Sequence, residues 1–351
     1  MADFLGKVFG TTNVKQCLVT GGAGFIGSHL VEALLARGDR VSVIDDESTG
    51  SAENLARVHG HSHLCYVKGS MADRALVRPM VAEADEVYHL AAAVGVALIA
   101  KAPIRTLETN IYLTELLLSE LAPEGGPRRP VKVFLASSSE VYGKNPKPRW
   151  TEEEDLVFGP TIRPRWSYGV SKAVDEFLAL AYWRERGLPV VVGRFFNVVG
   201  PRQTGAYGMV LPRLVDAALA GRPLVVHDDG RQVRCFAHVA DVIRAVLALM
   251  QTPAAVGRVF NVGSDQPIQI LELARRVIAA VDPELTVEFQ SYAEAYSEDF
   301  EDVRSRVPDL SRLRETIDFR PTYTLDDVVR EVIAWKRGAL KAKGERPQNV
   351  E

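Results

Sequence analysis

Continuous apolar, β-branched runs recur at residues 16–20, 40–45, 64–67, 86–90, 131–137 and 189–195. Longer stretches with apolar positions at helical spacing lie between them, at 25–37, 104–121 and 166–186. A strand apolar at nearly every position is buried on both faces, and such strands separated by helices predict a parallel sheet with helices on both sides. Past Gly200 the alternation loosens, with breaks at Gly200-Pro201, at 221–223 and at Gly230, leaving two strand-like pieces near 223–226 and 258–263. The pattern predicts an α/β fold: a doubly wound parallel sheet, then a smaller carboxy-terminal α/β domain, with a polar, frayed tail after Gly338.

The first strand runs directly into Gly21-Gly22-Ala23-Gly24-Phe25-Ile26-Gly27, and a helix follows. Glycine at 21, 24 and 27 permits a tight turn, close approach of backbone to a pyrophosphate, and close packing of helix on strand. The free N–H groups and the dipole of the helix amino-terminus then face the phosphates. Asp45 ends the second strand, where a carboxylate accepts hydrogen bonds from both ribose hydroxyls and repels a 2′-phosphate. Asp46 and Glu47 add to that repulsion and no arginine stands beside them, so the pattern selects NAD over NADP.

Composition narrows the partners. The 351 residues are 47% hydrophobic and 25% charged, an ordinary globular balance. A net charge of −3 argues against a general nucleic-acid or acidic-membrane surface. Cys17, Cys65 and Cys235 are far apart with no CxxC spacing, which argues against zinc and a disulfide framework and for a reducing compartment. The longest apolar stretch, 90–100, is too short to span a bilayer, and the first apolar run is broken by Gly6, Lys7 and Gly10, so a soluble cytoplasmic protein is expected. His59, His61 and His63 alternate before a strand but lack a completing carboxylate or cysteine; His29 and His89 read as packing residues, and no metal site is expected.

Tyr168-Gly-Val-Ser-Lys172 puts a phenol and an ammonium on one face at the start of a helix. A tyrosine ordinarily titrates near ~10. Lys172, together with a positive nicotinamide, is expected to favour the phenolate, which then takes a hydroxyl proton as hydride leaves for NAD.

With these residues in hand, the chain resembles the extended short-chain dehydrogenases/reductases that act on nucleotide sugars, built on a Rossmann sheet. The resemblance is carried by TGGAGFIG (20–27), Leu90-Ala91-Ala92, SSSEVYG (137–143), YGVSK (168–172), RFFNVVGPR (194–202) and RCFAHVADV (234–242). It implies an NAD-binding domain at 1–195 with return segments about 233–263, a nucleotide-sugar domain at 196–232 and 264–340, and a frayed tail at 341–351. It implies that Ser138 joins Tyr168 and Lys172 around a C4 hydroxyl, that Ser70 and Met71 meet the adenine, and that Asn197, Arg202 and Arg234 hold a nucleotide diphosphate. It also implies a homodimer built from the helices at 104–121 and 166–186.

Within that family the later chemistry differs. Dehydratases carry Asp-Glu before Val-Tyr-Gly, where this chain reads Ser139-Glu140, as do the UDP-glucuronate decarboxylases, including those of the aminoarabinose, UDP-xylose and UDP-apiose routes. Pro164-Arg165-Trp166-Ser167-Tyr168 is similar to their segment ahead of the catalytic tyrosine. Tyr296 and the stretch leading to Arg306-Val307-Pro308 match their substrate loop, with Ser297 and Asp299 in place of two glycines. The resemblance implies a UDP-sugar substrate oxidised at C4 and a uronate carboxylate read by Arg306, with Glu140 beside it. A UDP-hexose or UDP-uronate 4-epimerase, in which Glu140 and Arg306 form a structural ion pair, is the alternative, with a 4,6-dehydratase behind it.

Overall fold

The computed structural model describes residues 14–93, 103–205, 208–295 and 301–342. Six strands of the amino-terminal part, β1 (Gln16–Thr20), β2 (Arg40–Asp45), β3 (Leu64–Lys68), β4 (Glu86–His89), β5 (Lys132–Ser138) and β6 (Val190–Phe195), join a seventh at Arg258–Val262 in one sheet. From edge to edge the order is Arg258–Val262, β6, β5, β4, β1, β2, β3, with every pairing parallel. The chain therefore steps outward one way from β1 and the other way from β4. The carboxyl ends of β1 and β4 flank the switch point, where open α/β sheets form their ligand crevice.

Alternation along β1 shows why its apolar run fits this place. Cys17 and Val19 join Leu30, Val31 and Leu34 of α1 (Phe25–Arg37) on one face. Leu18 joins the other face, with Val77 and Val81 of α2 (Arg74–Glu83), Leu116 to Leu118 of α3 (Pro103–Leu121) and Ala179 of α4 (Ser167–Arg186). Neither face meets water, so an alternating polar pattern would have buried unpaired groups.

The carboxy-terminal part carries more order than its sequence pattern suggested. β7 (Val198–Val199) pairs with β10 (Ala237–His238), and β8 (Leu224–His227) with β13 (Val287–Gln290). β9 (Val233–Cys235) lies between β12 (Pro267–Gln269) and β14 (Ser305–Arg306), and Arg258–Val262 of the main sheet is β11. Four helices were hidden by the glycine and proline breaks: α5 (Val210–Leu219), α6 (Val239–Gln251), α7 (Ile270–Val281) and α8 (Leu325–Ala342). Proline at 212 falls in the first turn of α5, where its missing N–H is harmless. α2 was masked in the same way by Pro79, although Asp73 caps it by accepting from Ala75 N at 2.9 Å. α6 completes the α1 face of the sheet, while α5, α7 and α8 bury Leu211, Leu273 and Val332 in a separate core.

The expected fraying from Gly338 is corrected: α8 runs through Gly338 to Ala342, with Leu340 packed on the carboxy-terminal core. The rest of the predicted tail lies outside the described residues.

Candidate active site

One cleft at the carboxyl ends of β1 and β4 gathers most of the residues singled out from the sequence. At one end it is lined by Gly21, Gly24, Phe25, Ile26, Gly27, Asp45, Met71, Leu90, Ala91 and Ala92; in the middle by Ser138, Ser139, Glu140, Tyr168 and Lys172; and at the other end by Asn197, Arg234 and Arg306.

The glycine end has the form of a phosphate cradle. A Cβ on Gly27 would sit 2.2 Å from the Gly21 carbonyl oxygen, and one on Gly21 would sit 2.8 Å from Ala91 N, so only glycine lets these three backbones meet. No side chain caps the amino-terminus of α1 and its first turn holds no acidic residue, which leaves its N–H groups for an anion. Asp45 accepts from Ala23 N at 2.9 Å and from Glu47 N at 2.8 Å. Each carboxylate oxygen thus accepts one backbone N–H, and Asp45 lines the cleft. These features fit a dinucleotide whose ribose hydroxyls meet Asp45. Glu47, expected to join in repelling a 2′-phosphate, instead accepts from the Tyr66 hydroxyl at 2.6 Å and from Lys68 at 3.1 Å; Asp46 lines the cleft beside Asp45.

Ser70 does not reach the cleft. It is exposed, and its hydroxyl accepts from Ala72 N at 3.1 Å, closing a local turn, while Met71 is buried against the site. Arg202 is likewise turned away: it forms an ion pair with Glu32 of α1, nearly buried, so its charge is matched inside the protein rather than offered to a diphosphate. Tyr296, Ser297 and Asp299 lie outside the described residues.

Burial first, and then the Glu140 charge, push the Tyr168 phenol up; the Ser138 hydroxyl hydrogen-bonds the phenol and pulls the other way. The lowering expected was by Lys172 together with a positive nicotinamide; the protein's own groups alone push the phenol up. The Lys172 Nζ lies 3.2 Å from Asp175 Oδ2, both fully buried, so its charge already has a partner one turn along α4. Ser138 also caps the short turn at Ser139–Tyr142, accepting from Glu140 N at 3.2 Å, which fixes Glu140 at the mouth of β5. Behind the cleft, Asn110 of α3 accepts from Ala93 N at 2.8 Å and donates to Ser171 at 3.0 Å, locking 90–93 to the tyrosine helix. Burial holds His89 neutral, its pKa lowered to about 3, and its ring bridges Thr20 at 2.8 Å and Thr114 at 3.1 Å.

Glu140 sits in a cage of charge. Arg165 contacts it twice, Nη1 to Oε2 at 2.6 Å and Nη2 to Oε1 at 3.1 Å, and Arg306 Nη1 reaches Oε1 at 2.7 Å. Burial alone would raise this carboxyl; Arg165 and then Arg306 outweigh it and hold Glu140 well below the usual carboxylate range. Beside it Arg234 pairs with Asp302 at 2.9 Å, and Asp302 also accepts from the Tyr292 hydroxyl at 2.5 Å. Three guanidiniums against two carboxylates leave this part of the cleft one positive charge in excess, as suits an anionic substrate. Asn197, at φ +34, turns the chain after β6 and donates to Cys235 O at 2.9 Å.

Arg165, Asp302 and Tyr292 carried no assigned role in the sequence reading. Arg165 had a signal, since it stands three residues before Tyr168. Asp302 and Tyr292 had none, because their value comes from a turn that only folding brings to Arg234. Among the described residues, no group of three or more His, Cys, Asp or Glu side chains converges as a metal site, and His61 and His63 merely meet ring edge to face at 5.7 Å. No described helix is long and apolar enough to cross a membrane.

The glycine cradle, Asp45 and the cleft they open fit a dinucleotide-dependent enzyme built on a doubly wound sheet. Residues 17–263 match the model of the NAD dependent epimerase/dehydratase family, and the chain belongs to that family, as an NAD-dependent enzyme. Among curated relatives it is 36% identical over 324 residues to the UDP-N-acetyl-alpha-D-glucosaminuronate decarboxylase of Bacillus cytotoxicus, covering 92% of this chain and 98% of the relative. It is 34% identical to UDP-glucuronic acid decarboxylase 1 of Arabidopsis thaliana, covering 91% of this chain and 69% of that one. Among solved structures it is similar to the UDP-glucuronic acid 4-epimerase of Bacillus cereus in complex with UDP-glucuronic acid and NAD, with a TM-score of 0.80 at 26% identity over 92% of this chain and 99% of that one. The UDP-N-acetylglucosamine 4-epimerase of Methanobrevibacter ruminantium M1 superposes with a TM-score of 0.83 at 29% identity, over 93% and 100%.

Proposed function

We propose that this enzyme oxidises a UDP-uronate at C4 and expels its carboxyl group as carbon dioxide. The substrate class is UDP-glucuronate or its 2-acetamido analogue. The observation that carries this reading is the Arg165–Glu140–Arg306 cluster beside the Tyr168 phenol. Two guanidiniums against the single Glu140 carboxylate leave positive charge for a uronate, which a neutral sugar does not need. The similarity to two uronate decarboxylases favours loss of the carboxyl group over 4-epimerisation of the same uronate.

The residues act in a fixed order. NAD, when bound in the glycine cradle, supplies the hydride acceptor for C4. Tyr168 takes the C4 hydroxyl proton, with Ser138 donating to the same oxygen. The resulting ketone stands β to the carboxylate, so the C5–C6 bond can break and its electron pair enters the C4–C5 enolate. Ser138 and Tyr168 stabilise the enolate oxygen as an oxyanion hole does. Arg306 orients the carboxylate as it leaves. Glu140, held as the anion, is no proton donor; it steers the water that protonates C5.

Mass spectrometry of UDP-glucuronate and UDP-N-acetylglucosaminuronate incubated with enzyme and NAD tests the reading. Loss of one carbon dioxide is expected; a product of unchanged mass and new retention time makes the enzyme a 4-epimerase and overturns it.

We also propose a homodimer. Ile104 and Tyr112 on α3 and Val170 and Phe177 on α4 are exposed large apolar side chains on two helices that pack together, a face suited to a second copy. Light scattering at micromolar concentration should give twice the 38.6 kDa chain mass; a monomer contradicts it.

A further inference from the structure

Glu140 has two arginine partners, and they differ in kind. Arg165 belongs to the turn at Pro164–Trp166 that leads straight into α4, and it meets both carboxylate oxygens of Glu140. It is fixed from behind: its guanidinium lies 5.6 Å from the centre of the Trp166 ring, and Trp166 Nε1 donates to Glu301 at 3.2 Å. Arg306 comes from the carboxy-terminal side, on β14, whose backbone pairs with Arg234 of β9. It reaches one oxygen of Glu140, an oxygen Arg165 already holds.

We infer that Arg165 is a positioning residue for the uronate carboxylate: it is the standing counter-ion of Glu140, so that Arg306 can leave Glu140 and turn its guanidinium to the substrate. The inference rests on the decarboxylase reading. Its physical basis is that a buried carboxylate stripped of its last partner is costly, the more so with a second carboxylate arriving beside it. With Arg165 in place, Glu140 keeps a two-point partner throughout. Without it, Arg306 is the sole cation on Glu140 and is withheld from substrate.

The test is binding to NAD-loaded enzyme carrying Tyr168→Phe, which stops turnover, by calorimetry with UDP-glucuronate, UDP-N-acetylglucosaminuronate and UDP. Adding Arg165→Met should weaken a uronate relative to UDP by about tenfold or more. Adding Glu140→Gln on top should restore the ratio to within about threefold, because an amide does not detain Arg306. Arg165→Lys, a single-point cation, should fall between. A residue that merely supported the fold would not be rescued by a second loss. An unchanged ratio in Arg165→Met, or a loss that persists with Glu140→Gln, overturns the inference while leaving the decarboxylase reading intact. If the Tyr168→Phe enzyme prefers neither uronate to UDP, the carboxylate reading itself fails and this inference with it.

Discussion

Tyr168→Phe is expected to lower kcat by about a thousandfold while leaving the thermal midpoint and NAD binding near their original values. The phenol is buried and faces Ser138, and its ring fills the same space in Phe. What disappears is the group that receives the C4 hydroxyl proton. No neighbour replaces it: Ser138 is far too weak a base, Lys172 is held by Asp175, and Glu140 is held by two arginines. Stopped-flow absorbance of reduced nicotinamide in a single turnover is the direct measurement. A rate within about tenfold of the original would remove Tyr168 from the chemistry.

Arg306→Ala is expected to lower kcat/KM on a UDP-uronate by about a hundredfold or more, and to change oxidation of the matching neutral UDP-hexose by less than about threefold. The fold should tolerate the change, because Glu140 is not orphaned: Arg165 still binds both its oxygens. That distinguishes this arginine from a structural one, whose loss would weaken both substrates alike through misplacement of Glu140 and Tyr168. Steady-state kinetics on the two substrates read the difference. Equal losses would mean that Arg306 orders the site without reading a carboxylate.

The parts of this molecule that were legible in the sequence are those whose meaning is local. Gly21, Gly24 and Gly27 sit within one strand–turn–helix, Asp45 ends the next strand, and Tyr168 and Lys172 share one helical face, so spacing alone assembles them. The parallel sheet was legible because each strand is apolar on both sides. Illegible were features decided by a partner far along the chain. Arg202 resembles a phosphate ligand until Glu32 takes it, and Ser70 resembles an adenine contact until its own turn does. Asp175, one turn on, is a partner of Lys172 that the Tyr168–Lys172 spacing alone does not reveal. Arg165 stood in plain view beside the tyrosine, but its role appears only once β14 brings Arg306 to the same carboxylate.

The course of the chain through the main sheet carries a further consequence. β6 lies inside the sheet because β11, contributed after an excursion through β7 to β10, covers its outer edge from Arg258↔Val191 to Val262↔Phe195. The second core takes α5 from that excursion and α7 and α8 from the chain after β11, so the two halves are interleaved along the sequence. No single cut separates the two. A truncation after β6 would leave a bare row of peptide groups on an apolar strand, the geometry that recruits strands from other molecules. Grafting a different sugar-binding half onto this scaffold accordingly calls for three junctions: after β6, before α6 and after β11. The ribosome, for its part, must deliver β11 before the sheet has a finished edge.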